Sequence, residues 1–203
     1  FATGQLPRSV NSSSIALIRK VSNATHMSQF RPISCCNAIY KCIGKMIASR
    51  MSSVMPSLIS LNQTTFLPGR SLGDNVALAQ SLCRDYHLAV GPSRITCKLD
   101  IRKAFDSLNW SFIFNVLSAM NFPAKFINLI RVCVSTCMHS VKVNGALEGY
   151  FSAKSGIRQG DPISPYLFVL AMELLNICVL KVMEGSNFCY HWRCRKLNLT
   201  HLV

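Results

Sequence analysis

The sequence predicts an α+β fold in which helices pack on a small antiparallel sheet, and three observations support this. Apolar residues recur at helical spacing over residues 37–55 and form an almost continuous helical run over residues 162–183. Between these segments, residues 140–143 alternate apolar and polar and run into an Asn144-Gly145 turn, which is typical of a β-hairpin. A chain of 203 residues, half of them apolar, can bury a substantial core around such elements.

The N-terminal half is expected to contain two extended segments and two helices. The residue before Pro32 avoids the helical region, which favours an extended chain there. Pro56 is expected to close the first helix, and Asp74 or Asn75 to cap the second. The extended segments are expected at residues 15–18 and 30–34, and the helices at residues 37–55 and 74–89.

The C-terminal half is expected to alternate strands and helices. Asp106 and Ser107 stand where a helix N-cap belongs, and Pro123 suits the first turn of the next helix. The expected strands are residues 94–99, 140–143, 149–154 and 197–203, and the expected helices are residues 106–120, 123–136 and 162–183.

The charge of the chain is strongly positive, because 22 Lys and Arg stand against 8 Asp and Glu, a net charge of +14. This balance favours a polyanionic partner, nucleic acid ahead of membrane, over a basic protein without such a partner. The longest apolar run, residues 166–180, is interrupted by Glu173 and Asn176 and is too short to span a bilayer, so no membrane association is predicted.

Ten cysteines raise the alternatives of disulfides, a zinc site or free thiols. No Cys-x-x-Cys pair occurs, and the spacing of Cys189, His191 and Cys194 is irregular for zinc. Buried free thiols are the favoured interpretation, which implies a reducing compartment.

The segment from Cys97 to Asp106 has a carboxylate, Asp100, between two apolar residues at the end of an expected strand. A charge in this position needs a partner or a metal, unless it simply emerges at the end of the strand. Carboxylate and carbonyl oxygens are the ligands that Mg²⁺ prefers. Asp106, by contrast, is interpreted as a helix cap rather than a metal ligand.

The segment from Ser155 to Phe168 has two glycines, Gly156 and Gly160, on either side of Ile157-Arg158-Gln159. Glycine permits a close approach of the backbone to a ligand, and Pro162 suits the start of the following helix. The segment either presents Arg158 and Gln159 to a nucleotide or is only a tight loop-to-helix junction.

These two segments resemble the polymerase core of reverse transcriptases from non-LTR (LINE-type) retrotransposons. Two upstream segments, Phe30-Arg31-Pro32-Ile33-Ser34 and Gln63-x-x-Phe66-x-Pro68-Gly69-Arg70, resemble the fingers motifs of the same family and stand in the same order. The resemblance implies the right-hand polymerase fold, with fingers over residues 1–93 and an incomplete palm over residues 94–203.

The resemblance also implies roles for individual residues. Asp100 is the catalytic carboxylate and binds Mg²⁺ of a two-ion site together with the carbonyl of Ile101, and Phe105 excludes a ribose 2′-hydroxyl. Arg31 meets the triphosphate, while Arg158, Gln159 and Gly160 shape the nucleotide pocket. Arg70 meets a nucleic-acid backbone. Lys103 is assigned to nucleic-acid contact as well, with a solvated face as the alternative that the residues leave open.

The implied activity is RNA-directed DNA polymerisation from dNTPs on an RNA template with a DNA primer. The implied location is intracellular, in nucleus and cytoplasm, although the sequence contains no targeting signal; nothing in it fixes an oligomeric state. The chain begins with Phe1, not Met, and stops at Val203, ahead of the family's aromatic-Ala-Asp-Asp hairpin, so it is expected to be inactive in isolation. The alternative is a basic RNA-binding remnant of a decayed element, with no catalysis.

Overall fold

A computed structural model describes residues 4–84, 86, 88, 95–186, 189–190 and 201–202. The elements alternate in short groups of strands and helices along the chain. In order they are β1 (Ser12–Arg19), a 3-10 turn (Met27–Gln29), β2 (Phe30–Cys36), α1 (Ala38–Leu58), α2 (Leu72–Cys83), α3 (Ala104–Ser107), α4 (Trp110–Ala119), α5 (Ala124–Ser135), β3 (Met138–Val143), β4 (Ala146–Ser152) and α6 (Ser164–Glu184).

The four strands form one sheet in the order β2-β1-β3-β4. β1 pairs antiparallel with β2, placing Ile15 beside Ser34, and β3 pairs antiparallel with β4 across the predicted Asn144-Gly145 turn. β1 and β3 are parallel, so the sheet is mixed rather than antiparallel. Tight hairpins force antiparallel pairs, whereas the long helical connection between β1 and β3 permits a parallel one. The predicted α+β class is confirmed.

Helix α1 extends past its predicted end, because Pro56 lies inside it rather than closing it. The side chain of Asn37 caps its start by accepting from Ile39 N at 2.9 Å. Near its end the Ile59 N–H still reaches Met55 O at 3.0 Å, so a proline in the last turn does not break the helix.

The caps of α2 and α4 differ from those predicted. Ser71, rather than Asp74 or Asn75, caps α2 by accepting from Gly73 N at 3.1 Å. Asn109 caps α4 by accepting from Phe112 N at 3.3 Å, because the predicted helix 106–120 is split into α3 and α4. Asp106 therefore lies within α3 and is not a cap.

The predicted strand over residues 94–99 is wrong for residues 95–99, which form no regular structure. Their apolar side chains face solvent, with Ile95 88% and Leu99 86% exposed. An apolar strand needs neighbours in a sheet, and the sheet described here ends at β2 and β4 without pairing to this segment. Most of the predicted strand 197–203 lies outside the described residues, and His201 and Leu202 form no strand.

One hydrophobic core joins the two predicted domains. Its fully buried members include Tyr40 and Met51 on α1, Leu117 on α4, and Ile130 on α5. The core therefore takes residues from both sides of the predicted boundary at residue 93, and that boundary stays a prediction.

Helix α6 is 21 residues long and apolar enough to cross a membrane by length and composition, so the expectation that this run is too short is wrong. It nevertheless packs against α1 and α4 and carries the buried polar residues Glu173 and Asn176. Glu173 accepts from the N–H and hydroxyl of Ser60, both at 3.1 Å. These contacts attach the first part of α6 to the core, while residues 177–184 are exposed or half-buried.

Candidate nucleotide-binding site

The loop before α6 is attached at its first end to the segment around α3. The Gly156 N–H donates to Leu108 O at 2.8 Å and the Ile157 N–H donates to Phe105 O at 2.9 Å. Gly156 has φ +80°, and a Cβ there would lie 2.7 Å from Asp106 O, so only glycine fits. The indole of Trp110 adds a hydrogen bond to Gly156 O at 2.7 Å.

The other end of the loop lies against β2. The Ser34 N–H donates to Gln159 O at 2.8 Å, which places the loop along the outer edge of the sheet. Gly160 has φ +105°, and a Cβ there would come within 2.8 Å of Ser34 O. The loop thus joins the segment around α3 to β2 through backbone contacts that the sequence does not reveal. The assignment of Gln159 and Gly160 to a nucleotide pocket stays a prediction.

Arg158 does not line the loop surface, because its side chain is buried, with 7% of the residue exposed. Its guanidinium forms an ion pair with Asp161 at 2.8 Å and donates to Asn11 Oδ1 at 2.9 Å and to Cys133 O at 3.2 Å. It also lies over the Tyr40 ring, 4.0 Å from the centroid. Arg158 is thus held by several partners in the core, and its remaining surface lines a cleft beside the loop.

Asp161 receives three kinds of donor. Oδ2 accepts from the Tyr40 hydroxyl at 2.6 Å and from Arg158 Nε at 3.0 Å, and Oδ1 accepts from Ile163 N at 3.1 Å at the start of α6. Burial, and then the charge of Asp161, raise the pKa of Tyr40, which keeps its hydroxyl protonated as the donor. Asp161 therefore fixes the turn that precedes α6 and also neutralises Arg158.

A cleft of about 180 Å³ lies beside the loop, between the sheet and α5. His139 on β3 lines it, with Nδ1 2.8 Å from Ser13 Oγ and Nε2 3.5 Å from Cys137 Sγ. Burial, and then the nearby Arg158, lower the pKa of His139. The cleft is also lined by residues of the loop, including Ser155, and by Asp106 at the end of the motif segment that contains Asp100.

Phe105 is half-buried and stacks on Phe168 of α6, with ring centroids 5.0 Å apart. This contact packs α3 against α6 beneath the loop. Phe105 therefore has a packing role, which is compatible with the predicted role in sugar selection.

The remaining predicted site residues lie apart from this cluster. Asp100 and Ile101 lie in the exposed segment before α3, outside any strand, and Lys103 is exposed with φ +53°. Arg31 is exposed on β2, and it alternates with Pro32 and Ser34, which line the cleft. Since neighbouring residues of a strand face opposite sides, Arg31 belongs to the other face of the sheet.

Arg70 has a structural role that the sequence did not reveal. Its guanidinium donates to the carbonyls of Ser60, Gln63, Ile59 and Pro56, at 2.7 Å for Gln63 and 2.8 Å for Ile59. The last carbonyls of a helix lack internal partners, so Arg70 closes α1 and fixes the loop that follows it. Its contact with nucleic acid stays a prediction.

No group of three or more His, Cys, Asp or Glu side chains is placed to hold a metal ion among the residues that the structure describes. Of the candidate zinc ligands, Cys189 is described and is exposed, while His191 and Cys194 lie outside the described residues.

Sequence reasoning missed three residues of the cluster, namely Asn11, Tyr40 and His139. Asn11 and Tyr40 lie 147 and 121 residues from their partners Arg158 and Asp161. Neither belongs to a local motif, so only the fold brings them to the loop. The one available signal for Tyr40 was that its hydroxyl lies on a helical face that is otherwise apolar and so needs a partner.

Comparison with known proteins decides the family. Residues 18–191 match the family described as reverse transcriptase (RNA-dependent DNA polymerase). The chain belongs to the reverse transcriptase family. It is 30% identical over 181 residues to the Transposon TX1 uncharacterized 149 kDa protein of Xenopus laevis, covering 89% of this chain and 14% of that protein. It is 31% identical over 176 residues to the retrovirus-related Pol polyprotein from type-2 retrotransposable element R2DM of Drosophila melanogaster, covering 85% and 16%.

A solved structure supports the fold of this reverse transcriptase chain. The apo telomerase of Candida tropicalis, truncated from its C-terminal domain, matches with a TM-score of 0.56 at 10% identity. The match covers 88% of this chain and 41% of that one. The predicted resemblance to LINE-type reverse transcriptases and the partial right-hand fold are confirmed, while the chain spans less than a fifth of the length of the two transposon relatives.

Proposed function

We propose that this chain provides the nucleotide-binding part of an RNA-directed DNA polymerase of a retrotransposon, which joins dNTPs to a DNA primer on an RNA template. The observation that carries the proposal is the loop of residues 155–161. By hydrogen bonds at both ends it brings Gln159 and Gly160 between β2 and the segment that holds Phe105. Three segments that are distant in sequence thus meet at one place, next to a cleft.

In this proposal Gln159 and Gly160 contact the incoming nucleotide, and Phe105 limits the space at its sugar. Gly160 is exposed and Gln159 is half-exposed, so both are accessible to a ligand. Arg31 and Lys103 are exposed cations that suit phosphate contacts, in keeping with the net charge of +14. Arg31 would make such a contact from the face of β2 opposite the cleft. The buried, fully paired Arg158 acts from below the loop instead of touching the nucleotide.

Mg²⁺ is the metal that this chemistry uses, and we assign Asp100 and the Ile101 carbonyl as its ligands from this chain. Protein sites for Mg²⁺ commonly supply one or two carboxylates and leave the other positions to water and substrate phosphates. One exposed carboxylate fits such a site, although it does not form a metal centre by itself. When bound, the metal would neutralise phosphate charge at the reacting group.

The test is a titration of the chain with dTTP and Mg²⁺, followed by titration with a single-stranded RNA at several salt concentrations. We expect Mg²⁺-dependent binding of dTTP and salt-dependent binding of RNA. Asp100→Asn should weaken dTTP binding in Mg²⁺ and leave the free energy of unfolding unchanged. Asp74→Asn on α2 is the matched control, because Asp74 is also exposed but lies on a different element.

Binding of RNA without any binding of dTTP would contradict the proposal and support an RNA-binding protein without catalysis. Primer extension provides a separate result, because the isolated chain is expected to extend no primer. Extension by the chain alone, abolished by Asp100→Asn, would contradict that expectation while supporting the proposed chemistry.

A further inference from the structure

We infer that Arg158, Asp161, Tyr40 and Asn11 form a positioning network that holds Gln159 and Gly160 in place for the nucleotide without touching it. The inference rests on the proposed function, since it assigns how the nucleotide-binding loop is fixed. It also changes the role of Arg158, which the sequence assigns to the nucleotide pocket and the structure places in the core.

Arg158 and Asp161 flank Gln159 and Gly160 in sequence, and their side chains meet at 2.8 Å beneath them, both buried. The ion pair therefore closes the base of a turn whose tip is the pair of residues assigned to the nucleotide. At the tip, Gln159 O accepts from Ser34 N at 2.8 Å, so the position of the tip is reported by one backbone amide of β2.

The base of the turn is fixed from four directions. Asn11, at the start of β1, accepts from Arg158 and donates to Cys133 O at 3.1 Å and to Thr136 Oγ1 at 2.9 Å at the end of α5. Tyr40 of α1 donates to Asp161 at 2.6 Å, and Asp161 accepts the N–H of Ile163 that leads into α6. Any shift of the turn would break several of these bonds together.

A buried ion pair is costly to desolvate, and apolar residues of similar volume are often as stable, so stability alone does not require one here. What the pair provides is direction, because the planar guanidinium fork fixes the angles to Asp161, Asn11 and Cys133 O at once. Lysine has the same charge but cannot make this fork.

The test measures two quantities on the same variants: the dissociation constant for dTTP with Mg²⁺, and the hydrogen-exchange protection of the Ser34 amide. Arg158→Lys should weaken dTTP binding on the order of tenfold, because Gln159 and Gly160 would no longer be held in one position. It should also lower the protection of the Ser34 amide, while amides within α4 keep theirs. Tyr40→Phe, which removes one hydroxyl and keeps the ring, should change both quantities in the same direction by a smaller factor.

Two controls separate positioning from contact and from loss of stability. Gln159→Ala should weaken dTTP binding but leave the Ser34 amide protected, because the backbone carbonyl remains. Arg131→Lys should change neither quantity, since the Arg131 guanidinium lies over Phe114, 4.2 Å from the ring centroid, rather than against the network.

Weaker dTTP binding by Arg158→Lys with an unchanged Ser34 amide would overturn the inference, because Arg158 would then contact the nucleotide itself. Reduced Ser34 protection with unchanged dTTP binding would also overturn it, since the network would then be purely structural. Failure of the wild-type chain to bind dTTP would instead count against the proposed function. The two failures are therefore distinguishable.

Discussion

The two segments that identify the family are held in opposite ways. The loop of residues 155–161 is bonded at both ends to other segments, and its ion pair is buried. The segment of residues 95–101, which carries Asp100, forms no regular structure and exposes Ile95, Leu99 and Ile101. Both segments have motifs of similar specificity, yet one is fixed by its surroundings and the other is not.

The conformation of a motif depends on contacts with residues that lie outside the motif. The loop has its conformation because Asn11, Tyr40 and Ser34 reach it from β1, α1 and β2. The apolar residues around Asp100 have strand character, but a strand requires neighbours, and none of the described strands pairs with them. Substitutions in the two segments should therefore differ greatly in their effect on stability.

The largest effect is expected for Arg158→Met, which leaves Asp161 buried without its counter-charge. Removing one partner of a buried ion pair costs roughly 3–5 kcal/mol of unfolding free energy. Urea denaturation followed by circular dichroism measures this change. The matched control is Arg102→Met in the exposed segment, for which a change within about 0.5 kcal/mol is expected.

The double substitution Arg158→Met with Asp161→Leu sharpens this prediction. It removes the uncompensated buried charge, so part of the lost stability should return, while the Tyr40 hydroxyl and the Ile163 N–H lack an acceptor. If Arg158→Met alone were as mild as Arg102→Met, the loop would not depend on the ion pair, and the contrast between the two segments would fail.

Much of this outcome could be predicted from the sequence, and the errors have a common cause. The hairpin of β3 and β4, the start of α1 at Asn37 and the helix after Pro162 follow from local signals, and they are confirmed. Arg158 was assigned to a nucleotide, because a motif shows which residue types occur but not which side chains point inward. The ion pair with Asp161 is local, at a spacing of three residues, and is the part of the network that the sequence could have revealed.

The next largest effect is expected for Gly156→Ala. A side chain in this left-handed conformation costs roughly 1–2 kcal/mol, and here its Cβ would also lie 2.7 Å from Asp106 O. Overpacking adds roughly 1–3 kcal/mol. Gly145→Ala is the control, because Gly145 has φ +90° with nothing within 4 Å, so it isolates the conformational cost. Equal losses in urea denaturation would mean that the loop is not packed against α3.

A smaller effect, dependent on pH, is expected from His139 beside the loop. Its pKa in the folded state lies below the ordinary value of 6.5, through burial and then Arg158, so the unfolded chain binds a proton more readily. The contribution of His139 to the free energy of unfolding is therefore complete above pH 6.5. It is lost as the pH falls below 6.5, by at most about 1.4 kcal/mol per pH unit.

The measurement for His139 is the free energy of unfolding between pH 5 and pH 8 for the wild type and for His139→Gln. The difference between the two curves isolates this group from other titrating residues. Below pH 6.5 the free energy of unfolding should fall faster for the wild type than for the variant. If it does not, His139 is accessible to solvent, and the contrast between the packed loop and the exposed segment is weaker.

The smallest effect is expected in the segment that carries Asp100. Leu99→Ala should change the free energy of unfolding by no more than about 0.5 kcal/mol, because a side chain that is 86% exposed loses little on truncation. Leu117→Ala, in the core of α4, provides the upper reference, with an expected loss of roughly 2–5 kcal/mol. A loss for Leu99→Ala that approached that of Leu117→Ala would mean that the segment is packed in solution. Asp100 would then be fixed as firmly as Gln159, and the contrast between the two motif segments would no longer hold.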